Sequence, residues 1–184
     1  MSKAVSALEG VSHKGFAEVA EAGLRGMITV RGDLASGAMK KAVKAATGTA
    51  LPAPRRIVID GDKAAAWMSP DELLILVPYE AAQDTVAALE KALAGEHHLV
   101  ADVSDARAVF TIKGARADQV LTKLCPVDMA TLAEGEIRRT RAAQVAAAFW
   151  KSEAETFTLV SFRSVAGYVM GLLETAARAG GEIA

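Results

Sequence analysis

The stretch Met27-Ile-Thr-Val-Arg-Gly32 reappears in altered form as Val109-Phe-Thr-Ile-Lys-Gly114, at an offset of 82 residues. Both stretches run apolar, apolar, Thr, apolar, basic, Gly, which is typical of a short β-strand that ends at a glycine turn. Each is followed by a segment whose apolar residues recur at helical spacing. The sequence therefore predicts two copies of a strand–helix unit.

A second pair of segments matches further along each copy. Glu72-Leu-Leu-Ile-Leu-Val77 lies over Glu155-Thr-Phe-Thr-Leu-Val160 at an offset of 83, and Trp67 then aligns with Trp150. In the first copy the apolar periodicity of residues 81–94 predicts a helix behind this hairpin. We infer an internal duplication of about 80 residues with a one-residue insertion. Chance similarity between generic strand–helix units is the alternative.

The two copies predict an α+β fold. Each copy supplies a βα unit followed by a β-hairpin and a second helix, and tight hairpins favour a mixed or antiparallel sheet over a purely parallel one. We divide the chain into an N-terminal segment (1–26), a first repeat (27–95) and a second repeat (96–184). We expect the two repeats to pack together as one domain.

Composition argues against several classes of function. The 184 residues carry 21 Lys and Arg against 22 Asp and Glu, and a net charge of −1 provides no long-range field for nucleic acid or anionic lipid. No uncharged apolar run approaches the ~18 residues of a membrane span. We therefore expect a cytoplasmic protein that binds neither nucleic acid nor membranes.

The sequence contains no recognisable cofactor or metal motif. It has neither G-x-G-x-x-G nor G-x-x-x-x-G-K-[ST]. Its histidines are His13 and the adjacent pair His97-His98, which lack the spacing of a helical metal site. Cys125, the single cysteine, has no histidine nearby in the sequence, so we interpret it as a small buried residue. We expect no catalytic residue, no metal and no cofactor in this chain.

Charged residues cluster at predicted strand ends and turns. Asp71 and Glu72 occupy a turn of the kind that acidic side chains hold by bonding to backbone amides. Arg138, Arg139 and Arg141 precede an apolar run, which indicates a solvated strand edge. A patch that forms ion pairs with a partner protein is the alternative interpretation of these arginines.

Four ordered stretches resemble the gamma subunits of heterotetrameric sarcosine oxidase. The resemblance runs from about Ala4 to Ala177. The most specific stretches are Trp67-Met-Ser-Pro-Asp-Glu-Leu-Leu-Ile-Leu76, His97-His-Leu-Val-Ala-Asp-Val-Ser-Asp-Ala-Arg107, residues 114–128 and Phe162-Arg-Ser-Val-Ala-Gly-Tyr168.

The resemblance implies a fold similar to the folate-binding domain of the glycine-cleavage T-protein. It also implies a non-catalytic subunit that works beside alpha, beta and delta chains. In that family the alpha and beta chains carry FAD, covalently held FMN, NAD and the tetrahydrofolate site. The assembly demethylates sarcosine to glycine and passes the one-carbon unit to tetrahydrofolate.

This resemblance makes a subunit interface the main expectation for the polar residues of the chain. An independent folate-binding or one-carbon-transfer protein is one alternative, and a free-standing binding module is another. Our candidates for the subunit interface are Asp71, Glu72, His97, His98, Arg107, Arg138, Arg139 and Arg163.

Overall fold

A computed structural model describes residues 4–183. The chain divides into two compact units. The central unit comprises Arg25–Ser104. The flanking unit comprises the described residues of Met1–Leu24 and Asp105–Ala184.

The chain alternates between strands and four helices over the described residues. The strands are β1 (Ser12–Lys14), β2 (Glu18–Glu21), β3 (Gly26–Gly32), β4 (Ile57–Asp60), β5 (Lys63–Ser69), β6 (Glu72–Val77), β7 (His98–Asp102), β8 (Arg107–Lys113), β9 (Ile137–Ala142), β10 (Val145–Glu153) and β11 (Thr156–Phe162). The helices are α1 (Gly37–Thr47), α2 (Ala82–Leu93), α3 (Ala117–Leu124) and α4 (Ala166–Ala177).

The central unit contains a five-stranded antiparallel sheet in the order β4-β5-β6-β3-β7. Strand β6 is buried at all six positions, so its near-continuous apolar sequence fits a strand covered on both faces. Leu73 and Ile75 of β6 pack into one core with Val43 of α1 and Leu89 of α2. The helices therefore cover one face of this sheet.

The flanking unit contains a six-stranded antiparallel sheet in the order β1-β2-β8-β11-β10-β9. Phe110, Phe149 and Leu159 extend from its strands into a core shared with Val120 of α3 and Leu173 of α4. Two sheets with helices between successive strands confirm the predicted α+β class.

Both units follow the same element order, strand–helix–three strands–helix, but the inferred offset between them needs correction. The hairpin β5–β6 closes with Ser69 opposite Glu72, and β10–β11 closes with Glu153 opposite Thr156. These pairs lie 84 positions apart, whereas β3 and β8 keep the offset of 82, with Gly32 and Gly114 both at positive φ. The insertion is therefore two residues, not one.

The corrected register places the two tryptophans on opposite faces. Trp67 packs against the helix-facing core of its unit. In the flanking unit the helix-facing core takes Phe149, while the neighbouring Trp150 is buried outside that core. Side chains alternate along a strand, so a slip of one residue moves every side chain to the other face. The alignment of Trp67 with Trp150 was wrong for this reason.

The two units also have other boundaries than the three segments predicted from the sequence. Strand β7 lies beyond residue 95 yet pairs with β3 of the central unit. Strands β1 and β2 lie in the N-terminal segment yet join the flanking sheet, where β2 pairs with β8. In each unit, therefore, a strand from outside the predicted repeat pairs with the first strand of that repeat. The packing of the two repeats as one domain stays a prediction.

A close backbone approach fixes the N-terminal part of the flanking unit. The amide of Phe16 donates to the carbonyl oxygen of Ala177 at 2.9 Å. A Cβ atom added at Gly15 would lie 1.9 Å from the same oxygen. Only glycine fits at this position, because any side chain would displace the last turn of α4.

We expect Gly15→Ala to destabilise the protein by about 2 kcal/mol or more, since the clash involves backbone and cannot be relieved by a rotamer change. Gly37→Ala is the control, because an added Cβ there meets no atom within 4 Å. Urea unfolding of both variants measures the difference. Equal stabilities for the two variants would contradict the close approach.

Candidate functional site

A cleft of about 510 Å³ in the central unit collects several of the candidate residues. It lies where β3 ends and β7 begins, and it contains Asp71, His97 and His98 of the predicted set. The structure thus brings Asp71 together with the adjacent pair His97-His98, which lies far from it in the sequence. The other lining residues are Arg31, Gly32, Asp33, Glu96 and Leu99.

Asp71 holds the turn between β5 and β6. Its Oδ1 accepts a hydrogen bond from the Ser69 hydroxyl at 2.6 Å, and its Oδ2 pairs with Arg31 Nη2 at 2.8 Å. The Ser69 hydrogen bond, followed by the Arg31 guanidinium, lowers the pKa of the Asp71 carboxyl. Glu72, the next residue, is buried in the register position opposite Arg31. Asp71 therefore holds the turn through a hydroxyl and a guanidinium and not through the predicted backbone amides, and its role at a subunit interface stays a prediction.

His98 is held at both ring nitrogens. Its Nδ1 lies 2.9 Å from the carbonyl oxygen of Glu96, and its Nε2 lies 3.1 Å from Glu90 Oε2. Both partners are acceptors, so the doubly protonated ring satisfies both contacts, and together they raise the pKa of His98, the Glu96 carbonyl contributing most. The neighbouring His97 is exposed. The pair therefore divides into an anchored and an exposed imidazole.

Arg107 and Arg163 lie at the same end of the paired strands β8 and β11, where Arg107 is opposite Phe162 and Arg163 directly follows it. The Arg107 guanidinium stacks over the Phe162 ring, 4.7 Å from its centroid, and Phe162 is 44% exposed. Arg163 donates from Nη2 to the carbonyl oxygens of Val5 at 2.9 Å and Ser6 at 3.2 Å. Arg163 therefore holds the N-terminal stretch of this unit in place.

The arginine cluster lies on β9, at one edge of the flanking sheet, as the sequence predicted. Arg138 pairs with Glu136 at 2.5 Å, and both side chains are only 14% exposed. Arg139 and Arg141 are exposed. The cluster therefore combines the ion pair of Arg138 with two exposed arginines at the sheet edge.

Sequence reasoning did not single out three charged residues of the cleft, or Glu90, which contacts His98 from outside its lining. Glu90 contacts a histidine eight positions away, across the turn between α2 and β7. Arg31 meets Asp71 at a separation of 40 residues. Asp33 and Glu96 complete the set. No local motif marks such long-range pairs, so only the folded sheet reveals them.

Cys125 lies in the core of the flanking unit. Its side chain is 5% exposed, and burial raises the pKa of its thiol to about 12. This confirms the interpretation of Cys125 as a small buried residue. Among residues 4–183, no group of three or more His, Cys, Asp or Glu side chains could hold a metal ion.

Comparison with known proteins identifies the family. A family model described as sarcosine oxidase, gamma subunit family, matches residues 31–179. The chain belongs to this family. A sarcosine oxidase subunit gamma from an Arthrobacter species is 34% identical over 115 residues, which cover 60% of this chain and 56% of that protein. The aligned region spans about half the length of the curated relatives it matches.

Solved structures show the same relationship for this gamma-family chain. One chain of the heterotetrameric sarcosine oxidase from Corynebacterium sp. U-96 superposes with a TM-score of 0.79 at 25% identity, over 88% of this chain and 83% of that one. The glycine cleavage aminomethyltransferase T from Bartonella henselae gives a TM-score of 0.62 at 16% identity, over 84% of this chain and 44% of that one. This second match confirms the prediction that the fold of this chain is similar to that of the T-protein. No helix within residues 4–183 has the length and apolar character to span a membrane.

The two histidines provide a pH test of the cleft. Since the folded pKa of His98 is raised above the ordinary value of 6.5, its contribution to stability is fully present below that value and is lost as pH rises through the folded pKa. We therefore expect His98→Gln to destabilise the protein more at pH 5.5 than at pH 8.5. Urea unfolding at both pH values checks this.

His97→Gln is the matched control, because it removes the exposed imidazole next to the anchored one. We expect it to change the free energy of unfolding little, because the ring that it removes is exposed. A destabilisation by His98→Gln that does not change with pH would contradict the assigned contacts.

The thiol of Cys125 provides a second test. With a pKa of about 12 it stays protonated at pH 8, and burial also blocks access, so we expect no reaction with a disulfide reagent in the native state. In guanidinium chloride the single thiol should react fully. Rapid labelling of the native protein would contradict the buried position.

Proposed function

We propose that this chain is the non-catalytic gamma subunit of a heterotetrameric sarcosine oxidase. The complex would demethylate sarcosine oxidatively to glycine and transfer the one-carbon unit to tetrahydrofolate. Its alpha, beta and delta subunits would be the partners of this chain, and FAD, FMN, NAD and tetrahydrofolate would bind in those partners. We place the complex in the cytoplasm.

The observation that carries this proposal is the agreement of two similarities. The family match covers residues 31–179, and the structural match to a chain of a heterotetrameric sarcosine oxidase covers 88% of this chain. Both extend across the central and flanking units. A similarity restricted to one unit would support only a shared domain, whereas this similarity extends over both repeats.

The chemistry of the described residues supports a structural role. In the cleft, Arg31 is paired with Asp71, and His98 is held by Glu90. A general acid or base must present a proton-accepting or proton-donating atom to a substrate. The two ring nitrogens of His98 instead contact Glu96 and Glu90 within the chain. The protonated ring is thus suited to stabilising the turn before β7.

All eight candidate interface residues remain proposals. Asp71, His98, Arg138 and Arg163 each contact other residues of this chain. His97 and Arg139 have exposed side chains, which suits a polar interface. The Arg107 guanidinium stacks on the exposed ring of Phe162.

The proposal predicts what the purified chain lacks. We expect the isolated chain to show no visible flavin absorbance, to form no hydrogen peroxide from sarcosine, and to release no heat of binding with tetrahydrofolate. Absorbance, a peroxide assay and calorimetry measure the three properties, with a complete sarcosine oxidase as the positive control.

A yellow isolated chain, or one that oxidises sarcosine, would contradict the proposal. Tetrahydrofolate binding by the isolated chain, without flavin, would instead favour an independent folate-binding protein of the T-protein superfamily.

A further inference from the structure

Helix α1 of the central unit presents three lysines on one exposed face. Lys40, Lys41 and Lys44 are all exposed, whereas Met39 and Val43 of the same helix are buried in the core of the unit. Residues three or four positions apart are neighbours on a helix surface, so Lys44 lies next to both other lysines. This lysine face therefore carries three positive charges close together.

The first of these lysines is placed unfavourably for the helix itself. Lys40 is the fourth residue of α1, at the end of the first turn, where a cation opposes the positive end of the helix dipole. It also lies four positions before Lys44, a spacing at which like charges repel each other. Helix α1 contains no acidic residue that could compensate these charges. Lys40 therefore weakens α1 within the isolated chain.

Two other helices show the favourable arrangement of charges. Helix α2 has Asp84 in its first turn and Lys91 in its last, and α3 has Asp118 in its first turn and Lys123 in its last. An acid near the N-terminus and a base near the C-terminus both stabilise a helix. Among the four helices of residues 4–183, α1 alone combines a lysine in the first turn with the absence of any acid.

The chain itself does not neutralise the lysine face. Within residues 4–183, none of the three lysine side chains forms an ion pair or a hydrogen bond. Two acidic residues lie beyond the ends of α1. Asp33 accepts a hydrogen bond from the amide of Ala35 at 2.9 Å, and Asp60 lies beside Gly48. The charges of the lysine face therefore remain for contact with another molecule.

We propose that the lysine face of α1 docks on an acidic surface of another subunit of the oxidase. That surface would supply the negative charges that α1 lacks. Opposite charges on two partners accelerate their encounter and fix their orientation. This inference rests on the proposed function, because it takes the partner to be another chain of the complex.

An acidic protein surface fits better than a nucleic acid or an anionic membrane. Domains that bind nucleic acids are strongly basic, whereas this chain has a net charge of −1. A helix that lies on a membrane inserts an apolar face into the lipid. The apolar face of α1 instead packs into the core of its own unit through Met39 and Val43.

The test compares two exposed lysines in the two helices of the central unit. Lys40→Glu reverses a charge on the lysine face, and Lys91→Glu makes the same change on α2. We expect Lys40→Glu to slow association with the remaining oxidase subunits at low salt by about fivefold or more. Lys91→Glu should associate as the wild type does. Biosensor measurements with the remaining subunits immobilised give the association rate constants.

The stability of the same variants should change in the opposite order. Lys40→Glu places a carboxylate at the positive end of the α1 dipole and four positions before Lys44, so the urea midpoint of the isolated chain should stay the same or rise. Lys91→Glu places one at the negative end of the α2 dipole, so its midpoint should fall slightly. Slower association without lower stability separates docking from damage to the fold. A lower midpoint for Lys40→Glu would overturn the argument from charge placement.

A double variant and a salt series test the electrostatic origin. Lys40→Glu combined with Lys41→Glu should slow association further, by about twentyfold in total. High salt screens exposed charges, so the rate constants of all variants should converge on that of the wild type there. A difference that persists at high salt would overturn the electrostatic contact.

The outcomes separate the inference from the proposed function. Wild-type rate constants for both Lys40 variants would overturn the docking surface and leave the gamma-subunit assignment intact. Equal slowing by Lys91→Glu would also overturn it. Binding of duplex DNA, of anionic vesicles or of a second copy by the isolated chain, abolished by Lys40→Glu, would assign the lysine face to that occupant instead. Failure of the wild-type chain to associate with the remaining subunits would overturn the proposed function itself.

Discussion

The complete burial of strand β6 is the constraint on which the central unit depends. All six of its residues are buried, and it pairs on one side with β5 and on the other with β3. A strand enclosed in this way must carry apolar residues on both faces, and the helix-facing set anchors α1 and α2. In the flanking unit β11 takes the same place between β10 and β8.

The sequence predicted the elements with strong apolar patterns and missed the weak ones. Strands β3, β5, β6 and the helices behind them follow from apolar runs and turns. Strands β1 and β7 carry charged and histidine side chains at sheet edges, so their pairing depends on neighbours that the sequence does not indicate. Local pattern cannot identify a strand that is ordered mainly by its partner.

The one-residue error in the repeat offset has a similar cause. Along Glu72–Val77, a shift of one residue still aligns apolar side chains with apolar side chains, so composition does not fix the register. The irregular hairpin ends at Ser69 and Glu153 determine the register, and no sequence pattern indicates these irregularities. The cleft was equally difficult to predict, because His98 and Glu90 meet only after α2 and β7 are in place.

The arrangement of charges fits the proposed structural role of the chain. Ion pairs and anchored rings hold turns in the central unit, and Arg163 holds the start of the flanking unit. Polar groups used in this way stabilise turns and chain ends within each unit. Family membership and the fold similarity to a chain of a heterotetrameric oxidase support the proposed role as a gamma subunit.

Native mass spectrometry of a complex purified through a tag on this chain tests the account most directly. The account predicts one particle that contains a single copy of this chain together with three different partner chains and their flavins. Recovery of this chain alone, or only with copies of itself, would contradict it.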